Sequence, residues 1–445
     1  MNTCEICGGK LKQDGSCPAC EAKQQQNKAA KKKLLLPILG GAAVLVALVC
    51  AFLLGRLGKP TEEKPQEQPE EKYVSKYEPE EPTEKEPAEK EPSGTMEVSA
   101  EKEPEQHTET KKPEKDPIPE FVASDYDATG TCGKNAKWGF NEATGELTII
   151  GTGAMDDYGW SVDTTSPWRQ EYYDQIRSVQ IMGVTNIGEF AFYYCKNLTS
   201  VTIADSVTSI DFYAFWQCES LTEITIPGSV KTIECGAFTM CSSLTSVTLS
   251  DGIETIEKDS FIGCALTSIS LPDSVKNFSA TAFAGPNLTH IYADNEAYVD
   301  VDGVLFTKDM KTLLKYPNGR TQSSYTIPDG VTTIGADAIL NGALTEIIIP
   351  DSVTTIGGNA FDCKGLTEIT IPDSVTTIEN AAFLWCTDLK TVTLGKGVKT
   401  IGPSAFANCY ALTNVYYRGT KEAWDAISIH DYNSRLLGAN IHYNS

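Results

Sequence analysis

The sequence predicts a β-rich solenoid, a fold in which short repeats of one chain stack into a column. The main observation is a segment of 22–23 residues that recurs between residues 183 and 419. A fixed period in this range is the signature of stacked repeats, each burying its apolar face against its neighbours. A second observation is that identical residues recur at each step, as in Ile187, Ile210, Ile233, Ile256 and Phe192, Phe215, Phe238, Phe261. Each inward position is therefore expected to form a column of like side chains.

Composition limits the partners of the protein. The chain of 445 residues carries a formal net charge of −23. This charge argues against nucleic acid or an anionic lipid surface as the partner of the bulk protein. The length allows several domains, and the residues before position 122 differ in character from those after it.

The first 22 residues contain two C-x-x-C pairs, formed by Cys4 and Cys7 and by Cys17 and Cys20. Two such pairs can place four thiolates tetrahedrally around Zn²⁺, and metal binding would then supply the folding energy of this short segment. The pattern resembles the zinc ribbons at the N-termini of many bacterial membrane proteins. Four thiolates leave no open position for a catalytic water, so the predicted zinc is structural. Two redox dithiols or a disulfide pair are the alternatives.

A basic juxtamembrane segment, residues 23–33, precedes an apolar segment, residues 34–56. The uncharged run from Leu34 to Gly55 would span roughly 33 Å as a helix, enough to cross a bilayer core. Lysines are more frequent before the run than after it, which predicts a single-pass helix with its N-terminus in the cytoplasm. A cleaved signal peptide is the alternative. We expect this helix to be the only anchor.

Residues 57–121 are rich in proline, glutamate and lysine. Such a segment cannot bury enough apolar surface to offset its ordering entropy, so we expect a disordered stalk. The proline-rich stretch from residue 59 to residue 120 has an upper reach of roughly 190 Å at about 3.1 Å per residue. A stalk of this length could carry the distal domain through a cell wall.

The distal domain is predicted to have five parts. Residues 122–182 form a β-rich N-terminal cap, with strands at 138–140 and 146–150 around a turn. Repeats occupy 183–286 and 330–419, and a hairpin insertion with a turn at 308–311 occupies 287–329. Residues 420–445 form a C-terminal cap with a short amphipathic helix. Asp300 and Asp302 could begin a calcium loop, but the later ligands are missing, so a plain turn is favoured.

Within a repeat, residues 198–203 are expected to form a strand with Leu198, Val201 and Ile203 inward and Thr202 outward. Cysteines recur at one repeat position, as in Cys195, Cys218, Cys241 and Cys264. Stacked side chains point the same way, whereas a disulfide needs facing Cβ atoms, so these cysteines are predicted to be reduced and buried. The positions of Cys132 and Cys235 do not follow this pattern.

The pattern LxxVxI followed by AFxxC resembles the BspA-like leucine-rich repeat family of bacterial surface proteins. The resemblance covers residues 130–445 and includes the DGVLF and YP elements of the insertion. It implies a leucine-rich-repeat solenoid and suggests adhesion to host proteins or other cells. The sequence lacks the asparagine that follows the strand in better-known leucine-rich repeats.

The sequence shows no nucleophile–base arrangement, metal-ligand spacing or phosphate-binding glycine loop in the repeats. The predicted outer face is mostly threonine and serine, including Thr199, Thr202, Thr222, Thr225, Thr245, Thr248, Thr367 and Thr370. Against this background, aromatic residues are candidates for a partner site, namely His290, Tyr292, Tyr416 and Tyr417. Alternatively, these aromatics cap the edges of the ladder.

These features together predict a membrane-anchored surface protein whose extracellular repeats bind a protein or glycan without catalysis. One alternative is a transmembrane sensor, in which the repeats receive a signal and the cytoplasmic zinc ribbon reports it to a protein partner. A wall-processing enzyme is the third possibility.

Overall fold

The computed structural model describes residues 118–444. The predicted zinc ribbon, juxtamembrane segment and membrane helix lie outside these residues, as does nearly all of the predicted stalk. Within residues 118–444, no helix is long and apolar enough to cross a membrane.

The described part begins with three antiparallel strands: β1 (Ala128–Gly133), β2 (Asn135–Asn141) and β3 (Glu146–Gly153). A 3-10 helix, Ala123–Asp125, precedes them, and a second, Val162–Thr164, follows. β3 pairs in parallel with β4 (Ser178–Val184), which in turn pairs in parallel with β6 (Ser200–Ile203). The antiparallel cap and the solenoid therefore share one sheet.

Each coil of the solenoid contributes one long strand. Apart from β4 and β6, these are β8 (Glu223–Ile226), β10 (Ser246–Leu249), β12 (Ser268–Ser270), β14 (His290–Tyr292), β18 (Ser324–Thr326), β20 (Glu346–Ile348), β22 (Glu368–Ile371), β24 (Thr391–Leu394), β26 (Asn414–Tyr417) and β28 (Asn440–Tyr443). Side chains alternate along a strand, so Glu223 and Thr225 are exposed and Ile224 and Ile226 are buried. Where long strands of adjacent coils pair, they run parallel.

Most coils also have a strand of two residues on their other side. These short strands are β5 (Asn186–Ile187), β7 (Ser209–Ile210), β9 (Thr232–Ile233), β11 (Thr255–Ile256), β13 (Asn277–Phe278), β19 (Thr333–Ile334), β21 (Thr355–Ile356), β23 (Thr377–Ile378), β25 (Thr400–Ile401) and β27 (Ser428–Ile429). They stack in parallel, with isoleucine against isoleucine in most coils. The predicted solenoid of coils about 23 residues apart is thus confirmed.

A stack of phenylalanine rings runs through the first half of the solenoid. Centroids of successive rings from Phe192 to Phe283 lie 5.0–5.1 Å apart. Trp168 stacks on Phe192 at 5.4 Å, and its Nε1 donates a hydrogen bond to the Ala191 carbonyl at 2.9 Å. Trp168 therefore closes the N-terminal end of this stack.

The cysteines of the described residues are all free, and the repeated ones are buried, as predicted. Five of the seven repeated thiols donate to the phenylalanine carbonyl of the preceding coil. For example, Cys218 Sγ lies 3.3 Å from Phe192 O, and Cys241 Sγ lies 3.2 Å from Phe215 O. The thiol fills a small apolar space and satisfies a buried carbonyl. Cys132 is buried in β1, whereas Cys235 is half-buried.

The insertion forms an antiparallel meander of β15 (Tyr298–Val301), β16 (Val304–Thr307) and β17 (Thr312–Lys315). The turn between β16 and β17 covers residues 308–311, as the alternation of the sequence predicts. A second tight turn at Asp302 and Gly303, both with positive φ, joins β15 to β16. β17 then pairs in parallel with β19, so the meander leads directly into the next short strand.

The interruption divides the apolar core into two clusters, and β16 belongs to both. Leu305 packs into the first cluster, whereas Val304 and Phe306 pack into the second. Consecutive side chains of a strand point to opposite faces, which explains this division. We call β16 the shared strand.

The C-terminal residues form one further coil. Helix α1 (Lys421–Asp425) begins after Thr420, whose hydroxyl accepts from the Ala423 N–H, and helix α2 (Ser434–Leu437) follows β27. Trp424 and Ile427 are buried, as the amphipathic pattern predicts. β27 and β28 continue the short-strand and long-strand sheets.

One charged side chain lies in the core. Lys315, on β17, is 0% exposed, and its Nζ donates to the Asp337 carbonyl at 3.2 Å. Burial lowers the pKa of Lys315 to about 8, opposed by the Asp337 carboxylate.

Candidate binding face

The outward side chains of the long strands form a regular surface, which we call the long-strand face. In the first half of the solenoid it has two columns, Ser200, Glu223, Ser246, Ser268, His290 and Thr202, Thr225, Thr248, Ser270, Tyr292. Because these side chains point away from the core, they can vary without disturbing the packing of the coil.

Some of the threonines predicted to lie on the outer face instead form hydrogen bonds between coils. Thr199 Oγ1 donates to the Arg177 carbonyl at 2.9 Å, and Thr245 Oγ1 donates to the Thr222 carbonyl at 3.2 Å. Similar bonds join coils at Thr289, Thr345 and Thr413. At these five positions the threonine before the long strand links adjacent coils, and its hydroxyl is occupied.

The long-strand face contains a groove of about 470 Å³, lined by β6, β8 and β10. β6 pairs with β4, and β8 pairs with β10, but within residues 118–444 no ladder joins β6 to β8. The groove is lined by both polar outward groups and apolar inward groups, among them Thr202, Glu223, Thr225 and Ile224. Hydroxyls donate and accept hydrogen bonds, and Glu223 adds an acceptor, so the groove suits a polar ligand with hydroxyl or amide groups.

The first predicted aromatic site lies on β14. The rings of His290 and Tyr292 stack at 5.6 Å, with 16° between their planes. Thr289 Oγ1 is 2.9 Å from His290 Nδ1, which fixes the ring orientation. Tyr292 is 47% exposed and is thus available to a partner.

The second predicted site is only partly on the surface. Tyr416 is half-buried and stacks on His442 of β28 at 4.6 Å. Tyr417 is 1% exposed and packs edge-on against Trp424 at 5.5 Å. Tyr417 therefore cannot contact a partner in this structure, because alternation along β26 turns it into the core.

His442 is a face residue that sequence reasoning missed. It enters the face because β28 pairs with β26, which places His442 next to Tyr416. His442 follows Tyr416 by 26 residues, whereas the usual period is 22–23 residues. A search for a parallel strand one coil after β26 could have found it. The two aromatic pairs belong to different sheets, and the structure does not bring them into one site.

The acidic residues that could begin a calcium loop have structural partners, as does Asp157. Asp300 accepts from the Ala293 N–H at 2.9 Å through one oxygen and from the Gly303 N–H at 3.0 Å through the other. Asp302 pairs with Arg320 at 2.5 Å, so these residues form a turn. Asp157 accepts from the Glu189 N–H at 3.2 Å. No group of three or more potential metal-ligating side chains occurs in the described part of the chain.

The repeats match a known family. The model described as "BspA type Leucine rich repeat region" matches six copies, at residues 171–289 and 317–428. A comparison with curated proteins found no match.

Similar solved structures were found as well. They include a leucine rich cell surface protein from Faecalibacterium prausnitzii, 29% identical, with 69% of this chain and 99% of that chain covered and a TM-score of 0.47. A leucine-rich repeat protein from Eubacterium ventriosum is 26% identical, with 65% and 84% covered and a TM-score of 0.49. The pneumococcal vaccine antigen PcpA is 20% identical, with 72% and 98% covered and a TM-score of 0.48. Because the family's repeat matches more than half of the sequence, and because those residues form the stacked coils, this chain belongs to the BspA-type leucine-rich repeat family.

Proposed function

We propose that the chain is a membrane-anchored bacterial surface protein that binds a protein or glycan partner without catalysis, as an adhesin does. The observation that carries this proposal is the long-strand face with its groove at β6, β8 and β10. A solenoid presents a broad surface whose outward residues are independent of its core, which suits recognition of a macromolecule.

The chemistry of this face supports binding by many weak polar contacts. Hydroxyls of Ser200, Thr202 and Thr225 line the groove together with the Glu223 carboxylate. Tyr292, at the end of the same columns, offers an exposed ring, and aromatic residues contribute strongly at contact sites. Together they suit a ligand that combines hydrogen-bonding groups with a flat apolar face.

The anchoring part of the proposal rests on the sequence before residue 118. Residues 34–56 would cross the membrane once with the N-terminus in the cytoplasm, and Cys4, Cys7, Cys17 and Cys20 would hold a structural Zn²⁺ there. The thiols would then lie in a reducing compartment, which keeps them available for the metal. Protease treatment of intact cells should remove an epitope in the repeats and spare one at the N-terminus. Loss of both epitopes, or protection of both, would contradict this topology.

Binding can be tested with the full chain in detergent, immobilised on beads. Wild-type protein should retain a matrix protein, mucin or wall glycan, and Thr225→Arg should reduce this retention because arginine would fill the groove. Thr232→Arg is the matched control, since Thr232 lies in the same coil on the short strand β9. Equal retention by wild type and Thr225→Arg, or no retention of any of these ligands, would contradict the proposal.

A further inference from the structure

A second surface lies where the chain turns after the short strands of the first coils. We call it the acidic–aromatic surface, formed by Asp157, Glu189, Phe190, Asp211, Phe212 and Glu234. Its members are brought together by stacking: β5, β7 and β9 are paired in parallel, and the Phe190 N–H donates to the Phe212 carbonyl at 3.1 Å.

The aromatic part of this surface is a cluster outside the phenylalanine stack. Phe190 lies 5.6 Å from Phe212 and 5.5 Å from Tyr213, measured between ring centroids. Trp216 lies 4.8 Å from Tyr213 and 4.9 Å from Tyr193. Phe190, Phe212 and Tyr193 are half-buried, so the cluster supports rings that are partly open to solvent. The Nε1 of Trp216 is buried and has no hydrogen-bond partner in the structure.

The fold does not require these side chains. In the second half, the residues that follow the short-strand isoleucine are Gly335, Gly357, Glu379 and Gly402. The two residues after each of them include no aromatic side chain. The same coil is therefore built without an acidic row or an aromatic cluster, so both features of the first coils need another explanation.

The carboxylates of the surface lie close together without a neutralising cation. No ion pair found within residues 118–444 involves Asp157, Glu189, Asp211 or Glu234. Burial, followed by the charges of Asp157, Asp211 and Glu234, raises the pKa of Glu189. The pKa of Glu234 is likewise raised by burial and then by Glu257 and Asp211.

Other polar groups around the carboxylates do not remove their charge. Asp211 accepts from Asn186 Nδ2 at 2.6 Å and from Ser209 Oγ at 2.7 Å, and both partners are neutral. The charge of Lys258, in the next coil, lowers the pKa of the Cys235 thiol, although burial raises it by more. An added cation would therefore relieve the mutual repulsion of the row.

We propose that the acidic–aromatic surface docks a lysine- or arginine-rich segment of a partner protein. A cationic side chain can lie over the face of Phe190 or Phe212 while its charge meets Glu189 or Glu234, which combines a cation–π contact with an ion pair. The surface is separate from the long-strand face, so this inference does not depend on the function proposed above.

The test uses the full chain in detergent and a fluorescent eight-residue peptide of alternating lysine and glycine. We expect binding at low ionic strength that weakens as salt is added, because the attraction is electrostatic. Glu189→Gln combined with Glu234→Gln should weaken binding by about tenfold, because two ion pairs with the peptide are lost. Phe212→Ala should weaken it by about threefold through the lost cation–π contact.

Matched controls come from the second half of the solenoid. Glu379→Gln removes a carboxylate from the same coil position, between two glycine-bearing coils, and Trp385→Ala removes an exposed ring. Neither should change the affinity. A decrease with Glu379→Gln equal to that of the double variant would show general attraction to an acidic protein and overturn the proposal. Equal binding of a glutamate–glycine peptide, or no effect of the double variant, would overturn it too.

Lowering the pH provides an independent arm. The raised pKa values of Glu189 and Glu234 mean that protonation begins at a higher pH than usual, so peptide binding should weaken between pH 7 and pH 5. The double variant should lose most of this dependence, whereas Glu379→Gln should keep it. A dependence that persists in the double variant would contradict the assignment to these carboxylates.

Discussion

Lys315 is the residue whose environment conflicts most with its chemistry. A buried ammonium loses its hydration, and a single carbonyl bond to Asp337 replaces only part of it. The folded protein therefore favours the neutral amine, which is why the pKa of Lys315 falls to about 8. The unfolded chain binds this proton more tightly than the folded one.

This difference predicts how stability depends on pH. Between about pH 8 and the ordinary value of 10.5, the unfolded state holds more protons, so the free energy of unfolding should rise as pH rises. Below pH 8 the penalty is fully present, on the order of 3 kcal/mol. Lys315→Met should therefore raise the free energy of unfolding at pH 7 and flatten the rise above pH 8, as measured by denaturant titration. Lys399→Met, at an exposed position, is the control; a destabilised Lys315→Met protein would refute the argument.

The thiols lead to a prediction about reactivity. Burial raises the pKa of Cys195 and of Cys386 to about 12, and that of the half-buried Cys235 to about 11. Since the thiolate is the reactive form, alkylation of the native protein should modify Cys235 before the buried repeat cysteines. Peptide mass spectrometry after iodoacetamide treatment measures this order. Early modification of Cys195 or Cys386 would show that the ladder opens readily.

At the scale of elements, the first phenylalanine ring of the stack, Phe192, must be covered on its N-terminal side. Trp168 provides this cover and also donates to the Ala191 carbonyl. The stack has no further coil on this side, so the indole replaces the missing ring.

Removal of this indole should be costly. Trp168→Ala is expected to lower the free energy of unfolding by about 3–5 kcal/mol, because it leaves a cavity and an unpaired carbonyl. Trp385→Ala, which removes a ring that is 43% exposed, should change it by less than about 0.5 kcal/mol. Thermal or denaturant unfolding of both variants provides the comparison, and equal effects would argue against the capping role of Trp168.

Regular elements were predictable from the sequence, and irregular ones were not. The period located the coils, and alternation located β2, β3 and the turn between β16 and β17. β1 was missed because its sequence, ATGTCG, lacks apolar alternation and draws its stability from pairing with β2. The helix predicted in the C-terminal region is short, because Ser428 and Ile429 form a strand that continues the stack.

The candidate site shows the same limit. Outward positions such as Thr202 and Thr225 follow from alternation within a strand. The groove exists because the neighbouring strands β6 and β8 do not pair. Nothing in their sequences indicates that this pairing is missing. The acidic–aromatic surface was hidden because its members are separated by a whole coil in sequence and meet only through stacking.

For the whole molecule, stacking means that each coil supports mainly its neighbours. The two core clusters should therefore respond separately to a local defect. Phe238→Ala should increase hydrogen exchange in β7, β9 and β11 and leave β21, β23 and β25 protected. Phe383→Ala should give the reverse pattern. Hydrogen-exchange mass spectrometry measures both, and equal loss of protection throughout would indicate one cooperative unit.

Because the shared strand contributes side chains to both core clusters, its register affects the packing of both halves. A slip of β16 by one residue would offer Phe306 to the cluster that now accepts Leu305, and Leu305 to the cluster shaped for Phe306. Both halves would then be mispacked by a single error, so a misaligned insertion is penalised twice. A correct alignment in either half thereby selects the correct alignment in the other.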